Sequence, residues 1–247
     1  MLSVKTLDCP GEGTLETHFG FEDGPTGVLR RRLWVYRPAG FRRGGPVVLF
    51  LDGQNAFGER GWRAERAADR CPVKCLLVGV SNSSRRYPEY IGWSQEDGHT
   101  DPVAERHADY LVDTVVPYIQ DVYRTGKRRA LAGASAGGVA ALYTGWSRPK
   151  VFSTIGSFSA GRHYYDELLE RFPEKPPFRH YLSCGDQGLD REFRPQTAEF
   201  ARQLKARGTE MRLRLHKGSH HESTWSRRIP DFLNFFTAPF APARDSY

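Results

Sequence analysis

Residues 131–143 read LAGASAGGVAALY. Small and apolar residues lead into a glycine-flanked corner at Ser135, and an alanine-rich apolar run follows. The local pattern Gly133-Ala134-Ser135-Ala136-Gly137 matches G-x-S-x-G. With the strand-forming RRALA before it and the helix-forming AALYTGW after it, it predicts a sharp strand-to-helix turn with serine at its apex. Such a turn is tight, and glycines on both sides let strand and helix approach closely. A serine there sits at a helix N-terminus, where free N–H groups and the helix dipole favour developing negative charge. Ser135 is therefore a candidate nucleophile; the competing reading is a small residue in a tight turn.

Apolar runs of the same kind lie on either side of this corner. PVVLFL (46–51), KCLLVGVS (74–81), VFSTIGSFSA (151–160) and RHYLSCGD (179–186) are short and nearly unbroken, and EMRLRLHKGSHH (210–221) comes last. Short continuous apolar runs suit strands covered on both faces, as in a parallel sheet. Helical patterns separate them. AERHADYLVDTVVPYIQDVYR (104–124) repeats its apolar residues near a 3.6 period. TAEFARQLKARG (197–208) ends in a capping glycine, and IPDFLNFF (229–236) closes the pattern. Strands alternating with helices predict an α/β fold with a mostly parallel sheet. Nearer the N-terminus, TLETHFGF (14–21) and LRRRLWVYRP (29–38) alternate apolar and polar residues around the turn-rich EDGPTG. They predict antiparallel strands at that edge of the sheet. The low helix propensity of SSRRYPEY (83–90) predicts a mobile loop.

Composition fits one soluble domain over residues 1–247. Apolar residues make up 39% and charged residues 26% of the chain, and no run of 18 apolar residues occurs, so no membrane span is expected. The opening MLSVKTLDCPGEGTLE lacks the basic-then-apolar pattern of a secretory signal, so the expected location is cytoplasmic. The net charge of +7 comes from scattered arginines and lysines, with no basic tail and no nucleic-acid-binding motif. It reads as a solvated basic surface, or as an attraction for an anionic substrate. Cys71 and Cys75 bracket CPVKC, but no second pair accompanies them, so no metal site is expected. The four cysteines read as small buried hydrophobes.

A serine hydroxyl needs a base. In a fold of this class the partners follow the nucleophile in the order acid, then histidine, each just after a strand. HKGSHHESTW (216–225) follows the last strand, and offers His220 or His221. His216 and His220 have i,i+4 spacing, but the strand before them and Gly218 between them argue against a helical metal site. The acid follows HYLSCG (180–185), and position alone leaves Asp186 and Asp190 open. The oxyanion of a tetrahedral intermediate needs two backbone donors. The N–H of Ala136, after the nucleophile, is one. The other comes from the loop after an early strand, where LFLDGQNAF (49–57) offers Gln54 N–H, and Asp52 serves to organise that loop.

Four segments in order resemble one family of α/β-hydrolases. It is the esterase family that includes esterase D (S-formylglutathione hydrolase), enterochelin esterases, feruloyl esterases and the mycolyltransferases. VVLFLDGQNAF (47–57) resembles its oxyanion loop, SNSSRRYPEYIGWS (81–94) a segment with Arg then Glu-Tyr, LAGASAGGVAALY its nucleophile turn, and GSHHESTW (218–225) its histidine loop. The resemblance covers about Pro46 to Phe236. It implies a central mostly parallel sheet flanked by helices, with His220 as the catalytic histidine and Asp190, the end of GDQGLD, as the acid. It further implies acyl transfer in two steps, without metal or organic cofactor, on a small-molecule ester. An acyltransferase with the same triad and a non-catalytic hydrolase-like binding protein are the alternatives. Arg85 and Arg86 are candidate contacts for an anionic group, and Trp93 is a candidate stacking surface for an aromatic acyl group or a sugar. The alternative for the segment is that Arg85, Glu89 and Tyr90 hold the loop together.

Overall fold

The computed structural model describes residues 2–21, 31–94, 103–161 and 163–240. Among these, nine strands form one sheet in the order β1-β2-β3-β5-β4-β6-β7-β8-β9. Strands β1 (Ser3–Leu7), β2 (Thr14–Phe21) and β3 (Arg31–Arg37) run antiparallel, and β3 pairs antiparallel with β5 (Leu76–Val80). From β5 onward the sheet is parallel, through β4 (Val47–Leu51), β6 (Arg129–Ala134), β7 (Thr154–Phe158), β8 (Arg179–Cys184) and β9 (Met211–Leu215). The antiparallel N-terminal edge and the parallel centre both match the expectation from sequence. β1 adds a strand that the sequence pattern did not reveal, because it is an exposed edge with no alternation of burial to read.

Alternation along the central strands builds two cores. Leu49, Leu51, Val78, Val80, Leu131 and Ile155 face one side of the sheet. There they pack under α2 (Arg86–Ile91), α3 (Val103–Asp109), α4 (Val116–Tyr123), α5 (Ala136–Ser147), α6 (Tyr164–Arg171) and α7 (Asp190–Ala206). Val48, Phe50, Leu77, Ala132 and Phe158 face the other side. They pack under α1 (Ala64–Arg70), α9 (Ile229–Thr237) and Trp225 of α8 (Glu222–Ser226). Every side chain of β4 and β5 is buried, as the unbroken apolar runs require. The long helical pattern at 104–124 forms α3 and α4 joined by a π-helical turn over Tyr110–Val115, just before Pro117, which has no N–H to donate.

The segment expected to be a mobile loop is instead helical over most of its length: residues 86–91 form α2. Propensity loses to burial, since Glu89, Tyr90 and Ile91 are buried. Glu89 forms a buried ion pair with Arg31 at 2.6 Å and accepts a hydrogen bond from Ser83 Oγ at 2.5 Å.

The strand order positions the site. After β5 the chain crosses to β6 on the opposite side of β4. The segments leaving the C-terminal ends of β4 and β6 therefore diverge, and a crevice opens where they part. No helix among the described residues is long and apolar enough to cross a membrane.

Candidate active site

Ser135 stands at the C-terminal end of β6 with φ 53° and ψ −131°, a strained backbone for a residue with a side chain. The neighbours hold it there. Ser135 N–H donates to Phe158 O at 2.8 Å, and Ser135 O accepts the first helical bonds of α5 from Gly138 and Val139 N–H. A Cβ on Gly133 would lie 2.3 Å from Gly137 O, so strand and helix cross too closely for any side chain at that position. In the first turn of α5 the Ala136 N–H has no intrahelical acceptor.

The second candidate donor lies across the crevice. After β4, Asp52 adopts a left-handed conformation, and Gly53–Asn55 make one 3-10 turn. The turn sits directly on β5: a Cβ on Gly53 would come within 2.1 Å of the Gly79 carbonyl carbon. Asp52 holds it from below. Its carboxylate accepts two bonds from Arg86, both at 2.7 Å, and one from Asn82 Nδ2 at 2.8 Å. Its backbone N–H donates to the hydroxyl of buried Tyr90 at 3.2 Å. Asp52 thus organises the loop, as read from sequence.

His220 and the two aspartates come from the ends of β9 and β8. His220 Nδ1 lies 2.7 Å from Asp190 Oδ1. Asp190 is fully buried, and its Oδ2 accepts from Ser159 Oγ at 2.7 Å and Gly185 N–H at 2.9 Å. Burial works against its ionisation, but the hydrogen bonds from His220, Ser159 and Gly185 outweigh it and hold the carboxyl below the usual range. Asp186, the other aspartate the residues left open, accepts instead from Gly218 N–H at 3.0 Å. Gly218 O in turn accepts from Asp186 and Gln187 N–H, both at 3.0 Å, so the acid loop and the histidine loop are laced together. Trp225 stands edge-on to His220 at 4.9 Å and donates its indole N–H to Ser159 Oγ at 3.0 Å. His221 points away from this constellation, capping α8 by accepting from Ser223 N–H at 3.2 Å.

Ser135 and His220 line one cleft of about 220 Å³, together with Gln54, Asn55, Trp62, Asn82, Arg86 and Glu222. Of the proposed substrate contacts, Arg86 lies in this cleft with its guanidinium occupied by Asp52, and Arg85 is exposed on the surface. Trp93 is placed elsewhere, buried and stacked on Tyr143 at 5.1 Å. Sequence reasoning passed over Ser159 and Glu222 as site residues. Ser159 carried no motif, while the acid two residues after the histidine was visible and went without a role.

Residues 30–236 match the model of the Esterase family. The chain belongs to that family. Among curated proteins the esterase is 26% identical over 232 residues to the uncharacterized protein YbbA of Bacillus subtilis, covering 83% of this chain and 92% of that one. Among solved structures it resembles the BES protein from Bacillus cereus, with a TM-score of 0.72 at 15% identity over 95% of this chain and 99% of that one. It also resembles the enterobactin esterase FES from Shigella flexneri, crystallised in the presence of enterobactin, with a TM-score of 0.74 at 16% identity. That match covers 92% of this chain and 60% of that one, so the esterase spans about three fifths of the FES chain. These likenesses agree with the α/β-hydrolase fold, and family membership places the chain among carboxylic ester hydrolases.

Proposed function

We propose that the protein hydrolyses a small-molecule carboxylic ester through an acyl-enzyme on Ser135. Ser135 Oγ attacks the ester carbonyl while His220 Nε2 takes its proton. The N–H groups of Gln54 and Ala136 stabilise the oxyanion. Collapse of the tetrahedral intermediate releases the alcohol with the proton from His220, and water then repeats the sequence to free the acid. Asp190 fixes the tautomer of His220 with its Nδ1–H turned away from Ser135 and stabilises the imidazolium. The observation that carries this reading is the His220–Asp190 pair at 2.7 Å beside a strained serine in the same cleft.

The test is hydrolysis of p-nitrophenyl acetate and butyrate by the wild type and Ser135→Ala, with labelling by a serine-directed phosphonate. The expected result is turnover and stoichiometric labelling of the wild type, with a loss of about 10⁴-fold or more in the variant. Equal turnover by both proteins refutes the assignment.

A further inference from the structure

Glu222 belongs to neither the proposed triad nor the oxyanion site, yet it lines the cleft between them. Its Oε1 accepts from Asn55 Nδ2 at 3.1 Å, and its Oε2 accepts from Trp62 Nε1. Asn55 is the neighbour of Gln54 in the 3-10 turn, and Glu222 is two residues beyond His220. The bridge is closed by two further bonds. Trp62 N–H donates to Asn55 O at 2.8 Å, and Ser226 Oγ donates to Trp62 O at 2.9 Å. Trp62 is itself locked, 1% exposed and edge-on to Phe50 and Trp225. The turn after β4 and the loop after β9 start from strands on different parts of the sheet. Glu222 is where they are tied by side chains.

We infer that Glu222 is a positioning residue that holds the oxyanion turn in register with the histidine loop, fixing Gln54 N–H relative to His220. This rests on the esterase reading above. Burial is the main influence on the Glu222 carboxyl and raises it above the usual range, opposed by the bond from Trp62; Asp52 raises it further, while His221 and Arg86 lower it. A carboxylate kept in that setting is costly unless it is held by donors, and both of its oxygens are. Two donors also make the bridge tolerant of an amide. Glutamine keeps a carbonyl oxygen for Trp62, and its NH₂ can face Asn55 once that side chain turns its oxygen inward.

The experiment compares the rate of phosphonate labelling, and kcat and KM for p-nitrophenyl acetate, in wild type, Glu222→Ala, Glu222→Gln and Asn55→Ala, with thermal unfolding alongside. A misplaced oxyanion donor acts in the transition state and not in ground-state binding. Glu222→Ala is expected to lose roughly 10- to 100-fold in labelling rate and kcat, with KM within about threefold. Glu222→Gln is expected to recover to within about fivefold of wild type, and Asn55→Ala to lose kcat in the same direction. Should Glu222→Ala not fold, the other two variants carry the test. The inference is overturned if Glu222→Ala labels at the wild-type rate, if its loss lies in KM, or if the glutamine variant is as slow as alanine. A wild type that does not label at all refutes the esterase reading itself.

Discussion

Asp190→Asn removes one charge and exchanges one acceptor for a donor, and the surroundings of Asp190 dictate which way the new amide turns. Oδ2 faces two donors, Gly185 N–H at 2.9 Å and Ser159 Oγ at 2.7 Å. The Gly185 N–H can only donate, and the Ser159 hydroxyl, which already accepts from Trp225 Nε1 at 3.0 Å, could take an amide N–H on its second lone pair only by leaving its own proton without a partner. The amide oxygen must therefore take the Oδ2 position, leaving its NH₂ 2.7 Å from His220 Nδ1. That nitrogen then has to accept, which puts the imidazole proton on Nε2 and removes the base that Ser135 needs. Turning the amide round would set its NH₂ against two buried donors. At about 1–3 kcal/mol for each unsatisfied group, the productive arrangement costs roughly 2–6 kcal/mol. That is a loss of roughly 30-fold to 2 × 10⁴-fold in kcat, before the lost stabilisation of the imidazolium is added. The assay is p-nitrophenyl acetate hydrolysis with a thermal melt as control. Asp186→Asn, which keeps an acceptor for Gly218 N–H, should stay within about fivefold of wild type. An Asp190→Asn protein that is folded and retains a tenth of wild-type kcat would refute the reasoning.

Two further perturbations read other parts of the molecule. Gly133→Ala places a methyl carbon 2.3 Å from Gly137 O. It should cost about 1–3 kcal/mol of stability and shift the serine turn enough to lower kcat by roughly 100-fold, as melts and steady-state kinetics will show. His180 is fully buried, accepts from Trp146 Nε1 at 2.9 Å, and is pushed down to about 3 by burial. The unfolded chain binds that proton near pH 6.5 and the native state does not. Stability is therefore full above 6.5 and falls as pH drops towards 3, by about 1.4 kcal/mol per unit once well below 6.5. His180→Gln should melt with a shallower pH dependence between 6.5 and 4, and an unchanged slope counts against the assignment.

The sequence carried the parts of this protein that rest on local pattern. The doubly buried runs of β4, β5 and β6 and the turn at Ser135 were legible because period and glycine spacing are local properties. Asp190 was separable from Asp186 only by resemblance, since one lies just after β8 and the other at the start of α7, four residues on, and they differ in what reaches them from the loop after β9. Helix α2 was missed because burial of Glu89 and Tyr90 against distant partners overrides its weak propensity. Trp93 read as a surface for substrate because an aromatic near a site looks the same in sequence whether it faces the cleft or Tyr143. The role inferred for Glu222 depends on residues 160 and 167 positions away, a distance no motif spans.

β9 lies at the edge of the sheet, half-exposed along most of its length, and His220 follows it by five residues. Edge elements with few buried contacts open at a fraction of the free energy needed to unfold a whole domain. Detachment of this strand together with the loop that follows it would carry the histidine away from a serine still fixed in the centre of the sheet. Catalytic competence would then vanish in a partial opening, at denaturant concentrations where circular dichroism still reports an intact fold.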